Sequence, residues 1–119
     1  MKFISCNSFS KDLKSIQKKC KNINLENEIK KHILNLVVQQ NIDNLKPVLF
    51  KSNDVIILKT RLKSCSGKGK SGGLRLIWGY IYKREYVILI KVYSKSEIEN
   101  IPLDELIEEF KKCLRELML

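Results

Sequence analysis

Apolar positions along the chain repeat first at helical spacing, then at strand spacing, and at helical spacing again near the end. Lys2 to Cys6 reads as a short first strand. Phe9, Leu13, Ile16 and Cys20 then share one face of a helix whose other face is filled by lysines, with Ser8 or Ser10 as its N-cap. Asn22 to Asn24 break it. A second helix begins at about Leu25, carries Ile29, Ile33, Leu36 and Val37 on one side, and fades at Gln39-Gln40-Asn41. The short connection predicts an antiparallel helical hairpin. His32 lies beside Lys30 and Lys31 on the second helix, where a surface or packing role is expected.

Pro47 marks an extended or turn segment before Val48, Leu49 and Phe50. From Val55 to Lys63 the period is two: Ile56, Leu58 and Leu62 point one way and Lys59, Arg61 and Lys63 the other. Three cations on one strand face repel unless something anionic lies across them. Leu74 to Lys83 is a second strand, with Arg75 at its start. Lys83-Arg84-Glu85 makes a tight turn into a third, Tyr86 to Tyr93. Alternation there puts Lys91, Tyr93 and Lys95 on one face, with Ile88, Ile90 and Val92 opposite. After Pro102 the stripe Leu103, Leu106, Ile107, Phe110, Cys113, Leu114 and Leu117 is an amphipathic helix. Its acids come early and its bases late, as the helix dipole favours, and the stripe is expected to pack on the sheet.

Between the first two strands of the meander lies Gly67 to Arg75, G-K-G-K-S-G-G-L-R, cationic and without an acid. Flexible backbone and ammonium groups of this kind suit an anion. Gly67-x-Gly69-x-x-Gly72 matches the dinucleotide fingerprint, and Gly69-Lys70-Ser71 resembles the end of a triphosphate loop. Both mechanisms need a helix to follow. Here a strand follows, and Ser64 stands where the triphosphate loop needs glycine, so both are set aside. A plain solvated hairpin loop remains the bland alternative.

Composition sharpens this picture. The 119 residues suit one domain, and 23 Lys and Arg against 13 Asp and Glu give a formal charge of +10. Eight of those bases, and no acid, fall between Val55 and Arg84. Such clustering favours a polyanion, nucleic acid before a membrane surface, because no basic amphipathic helix carries the charge. Cys6, Cys20, Cys65 and Cys113 contain no C-x-x-C pair, and His32 is the single histidine, so a zinc site is not expected. Cys20 and Cys113 fall on apolar helical faces and read as core thiols of a reducing compartment. The apolar stretch at Phe3-Ile4 is too short for a secretory signal, and nothing approaches the roughly 18 apolar residues of a membrane span. A soluble, cytoplasmic protein without a cofactor is expected.

Helices starting S-F-S-K-D-L-K, a basic strand ending K-T-R-L-K, the stretch G-K-G-K-S-G-G-L-R-L-I-W, and V-Y-S-K-S-E before a proline-started acidic helix together resemble the RelE/HigB family of toxins of type II toxin–antitoxin systems. The similarity runs over nearly the whole chain. K-S-G-G-L-R and Y-S-K-S-E, in that order, are its most specific pieces. It implies one compact α/β (α+β) domain over residues 1–119: an N-terminal helical hairpin packed on a twisted antiparallel sheet, with a C-terminal helix. It also implies a ribosome-dependent endoribonuclease that cuts mRNA in the ribosomal A site. A cognate antitoxin would neutralise it, and operator DNA would be met only through the antitoxin complex.

RNA can be cut without a metal when its 2′-hydroxyl attacks the adjacent phosphate, leaving a 2′,3′-cyclic phosphate and a 5′-hydroxyl. The enzyme must orient the hydroxyl, neutralise the pentacoordinate phosphate and protonate the leaving oxygen. With one histidine there is no histidine pair, so lysine, arginine and tyrosine remain. By position in the family's pattern, Arg61 and its neighbour Lys59 match strand residues that orient and stabilise the phosphate. Arg75 matches an arginine on the scissile phosphate, and Lys95 a cation that assists it. Lys68 and Lys70 would grip the RNA backbone, with Lys63 and Lys91 extending the basic surface. Tyr93 is a weaker candidate, for a proton carrier or a base-stacking platform. Some members carry a tyrosine or histidine near the C-terminus as acid or base, and this chain has neither after Tyr93, which leaves both roles unassigned. The alternative reading is a non-catalytic RNA-binding or ribosome-associated module using the same basic sheet.

Overall fold

The computed structural model describes residues 1–63, 73–94 and 101–116. Its strands are β1 (Lys2–Ser5), β2 (Val48–Lys51), β3 (Val55–Leu62), β4 (Leu74–Ile81) and β5 (Tyr86–Ser94); its α-helices are α1 (Asn7–Gln17), α2 (Leu25–Gln39) and α3 (Leu103–Glu116). The strands form one sheet in the order β1-β5-β4-β3-β2. From β2 to β5 all neighbours are antiparallel, as the meander predicts. The first strand pairs with β5 in parallel, so the sheet is mixed rather than fully antiparallel. A four-residue strand carries no signal of which neighbour it will join. The segment after Pro47 resolves as a strand because Val48, Phe50 and Lys51 pair with β3.

Alternation along the strands divides the core into two layers. Ile56 and Leu58 of β3 and Leu76, Trp78 and Tyr80 of β4 face the helical hairpin and pack with Phe9, Leu25, Ile29 and Ile33. Ile57 and Ile77 face the other way and join Leu106, Phe110 and Cys113 of α3. The layers thus put the hairpin on one face and the C-terminal helix on the other. Gly79 permits close packing there, since a Cβ at that position would lie 2.9 Å from Cε1 of Phe110. Leu103, expected in the stripe of α3, is 43% exposed.

On β5 the predicted faces need correcting. Lys91 and Tyr93 share a side as expected, yet Ile88 and Ile90 lie on that side too, while Val92 packs toward the hairpin. The cause is an extra residue: Leu89 pairs with Trp78 and Lys91 with Ile77, leaving Ile90 as a bulge. Beyond the end of β1, helix α1 covers the free edge of β5. Ser8 Oγ donates to the Ile90 carbonyl at 2.7 Å, and Asp12 Oδ2 accepts from the Val92 amide at 3.4 Å. Ser8 is therefore an edge-closing residue rather than the cap, and Cys6 occupies the N-cap without a side-chain bond. Asn24 caps α2 by accepting from the Asn27 amide.

The expectation of core thiols is overturned. Cys6 and Cys113 form a disulfide, their Cα atoms 5.3 Å apart across 107 positions of sequence, and Cys20 is also disulfide-bonded. Cys6 closes β1, Cys113 lies on the buried stripe of α3, and the two elements meet in the same apolar layer. No helix among the described residues is long and apolar enough to cross a membrane.

Candidate nucleic-acid interface

Pairing register places the predicted site residues more firmly than their sequence positions could. Arg61 lies directly opposite Arg75, and Arg75 directly opposite Tyr93. Opposed residues of adjacent antiparallel strands project from the same side, so two guanidinium groups and a phenol form one cross-strand row on the α3 face. Lys59, two residues before Arg61, belongs to the same face, and its Nζ lies 5.9 Å from the centroid of the Tyr93 ring. Like charges directly opposite destabilise a sheet, and an anion lying across the row would offset that repulsion.

The row differs in exposure from one end to the other. Arg61 is exposed, Arg75 is only 8% exposed and Tyr93 3%. Beside them a cleft of about 90 Å³ opens between the sheet and the start of α3, with Ile77 and Tyr93 in the sheet, Lys59 at one side, and Ile101, Leu103 and Leu106 across from them. The Tyr93 hydroxyl is buried and has no hydrogen-bond partner among the described residues. A buried, unsatisfied hydroxyl costs about 1–3 kcal/mol, and such groups persist where function keeps them. Tyr93→Phe is accordingly expected to leave stability unchanged or raise it by up to about 1–3 kcal/mol in chemical denaturation. A destabilised variant would mean that the hydroxyl has a partner in solution.

Of the other residues singled out in the sequence, Lys63 is exposed immediately after β3. Lys91 points to the same face as Tyr93 but is engaged by Asp12, Nζ to Oδ2 3.5 Å. Lys68, Lys70 and Lys95, together with the glycine-rich loop between residues 64 and 72, lie outside the described residues. Among the described residues no three His, Cys, Asp or Glu side chains come together as a metal site.

His32 takes the packing role expected of it, half-buried, and adds a polar contact: its Nε2 lies 3.3 Å from Thr60 Oγ1, and Thr60 accepts from Trp78 Nε1 at 3.1 Å. An indole N–H only donates, so Trp78 is the donor to Thr60, and the hydroxyl can then donate to His32 Nε2 or accept from it according to the ring's tautomer. Burial lowers the imidazole's pKa below its ordinary 6.5. The visible signal was Thr60, the one polar residue in the helix-facing set Ile56, Leu58, Thr60, Leu62.

A base whose pKa is lower when folded than when unfolded contributes stability that is full above the unfolded value and is lost as pH falls through the folded one. The melting midpoint is therefore expected to drop on acidification below about pH 6.5, and part of that drop should vanish in His32→Gln. Parallel melting curves of the two proteins between about pH 7 and pH 4.5 check this. Identical slopes would show that the imidazole is as accessible to protons folded as unfolded.

No family model and no curated protein matches the chain. Among solved structures it is similar to the solution structure of the conserved hypothetical protein HP0892 from Helicobacter pylori, at 19% sequence identity and a TM-score of 0.49. The match covers 82% of this chain and 97% of that one.

Proposed function

We propose that this chain is the toxin of a type II toxin–antitoxin system, an endoribonuclease that cleaves mRNA, in the manner of the RelE/HigB family. The observation that carries the proposal is the cross-strand row Arg61, Arg75, Tyr93 with Lys59 beside it. Two opposed guanidinium groups on adjacent strands form a receptor for one phosphate, because each can offer two parallel N–H donors to its oxygens.

The reaction makes the O2′–P bond and breaks the P–O5′ bond. One proton leaves the 2′-hydroxyl and one arrives on the departing 5′-oxygen. Arg75, held in the sheet with little exposure, neutralises the charge that builds on the equatorial oxygens, and the freer Arg61 orients the phosphate. Lys59 adds charge beside the Tyr93 ring. Lys63, Lys68 and Lys70 bind flanking backbone, and Lys95 assists at the phosphate. The ribosomal A site as the place of cutting and neutralisation by an antitoxin belong to the same proposal.

The test is the purified protein with a labelled RNA oligonucleotide, alone and on programmed ribosomes, in the presence of a chelator. Products ending in 2′,3′-cyclic phosphate and 5′-hydroxyl support the proposal. An intact message under both conditions, with RNA still bound, would point instead to an RNA-binding module.

A further inference from the structure

On the opposite side of β3 lies a second cleft, larger than the one beside Tyr93. Strand β2 pairs with β3 only as far as Leu58, and one further bond joins the Lys59 amide to the Pro47 carbonyl at 3.2 Å. Past that point the edge of β3 is not covered by β2, and α2 runs alongside it. Between them is a cleft of about 340 Å³ lined by His32 of α2, Gln40, Asn44 and Lys46 of the following connection, and Thr60 and Arg61 of β3. Lys59 lines this cleft and the one beside Tyr93, so the two meet at the end of one strand.

Its chemistry is distinct. No carboxylate among the described residues lines it. Asp43, the nearest acid in the connection, is bound elsewhere: its Oδ1 takes Lys51 Nζ at 3.2 Å and the Tyr82 hydroxyl at 3.1 Å. Lys46, Lys59 and Arg61 supply positive charge, while the Gln40 and Asn44 amides each offer donors and an acceptor. The contact with Thr60 engages Nε2, so Nδ1 is the His32 ring nitrogen left for a ligand, as donor or acceptor according to the tautomer. Cations for a phosphate beside two amides and a neutral imidazole are the groups that hold an unpaired nucleotide, base edge included.

We propose that this cleft is an accessory subsite for single-stranded RNA, holding a nucleotide that flanks the one cut. Lys46 takes its phosphate, and Gln40, Asn44 and His32 take its base edge. The strand wraps the end of β3 from one face of the sheet to the other, with Lys59 and Arg61 at the crossing. The inference rests on the RNA reading of the basic face.

Titrations of 2′-O-methylated RNA, a dinucleotide and a hexanucleotide, followed by amide and imidazole NMR, test it. The hexanucleotide alone should move the Asn44 side-chain amide and the His32 ring. Lys46→Glu should weaken the hexanucleotide by about tenfold and flatten its salt dependence by about 0.7 in log–log slope, one phosphate contact, with dinucleotide affinity unchanged. Hexanucleotide binding unaffected by Lys46→Glu, with Asn44 and His32 unmoved, would overturn the subsite; the RNA reading would stand if Arg75→Ala still weakened both ligands. Failure of the wild-type protein to bind either oligonucleotide would remove the RNA reading and the subsite with it. A shift of Asn44 by an acidic peptide but not by RNA would overturn the subsite alone.

Discussion

Arg75→Ala is expected to abolish toxicity: induced expression of the variant should leave growth unimpaired, and the cleavage rate in vitro should fall by about 10²–10³-fold. The magnitude follows from where the side chain sits. At 8% exposure it would act, in the proposed reaction, from a poorly solvated place, where one cationic donor aimed at developing charge contributes more than an exposed one would. Arg61 and Lys59 remain in the variant, so RNA binding should weaken less than cleavage. Arg75→Lys keeps the charge and loses the bidentate fork, and it should fall between wild type and alanine. Circular dichroism and a melting curve separate lost chemistry from lost fold. Growth arrest by Arg75→Ala as strong as by wild type would remove this residue from the chemistry.

The largest change in stability is expected on opening the Cys6–Cys113 bond. A cross-link spanning 107 positions restricts nearly the whole unfolded chain, and the chain-entropy argument gives about 4.7 kcal/mol for a loop near that size. Measured losses are commonly smaller, about 2–4 kcal/mol, which corresponds here to a fall in melting midpoint of roughly 10 °C. The Cys6→Ser, Cys113→Ser double variant isolates this bond, whereas reductant on the wild type also opens the bond made by Cys20 and should lower the midpoint at least as far. Amide exchange should quicken most in α3, whose remaining hold on the sheet is the apolar contact of Leu106 and Phe110. Equal midpoints with and without reductant would show that this packing alone fixes the helix.

Much of the architecture could be read along the chain, and the reason differs by element. Helix α2 was legible at both ends because its apolar stripe begins after the Asn22–Asn24 break and fades at the polar exit Gln39-Gln40-Asn41. The β3 faces were legible because that strand alternates without interruption. What escaped depended on distant partners. Parallel pairing of β1, the disulfide and the His32–Thr60–Trp78 chain each join residues whose approach no local period reveals. Part of the candidate site fell on the legible side: Lys59, Arg61 and Tyr93 were assigned to strand faces by period two, and register then aligned Arg61, Arg75 and Tyr93 in one row. The asymmetry between exposed Arg61 and nearly buried Arg75 was not legible, since both are arginines on strands.

The bulge at Ile90 has a bearing on how this strand can change length by mutation. Before it, even-numbered residues of β5 face α3; after it, Tyr93 does so from an odd-numbered position, because Leu89 still meets Trp78 and Lys91 meets Ile77. Deleting Ile90 would therefore regularise the ladder and keep Tyr93 opposite Arg75. If Ile90 entered the ladder opposite Ile77, Tyr93 would move opposite Leu74 and turn toward the helical hairpin. In the evolution of the chain, or in grafting the row onto another sheet, position 90 is where a one-residue difference can be absorbed without dismantling the row.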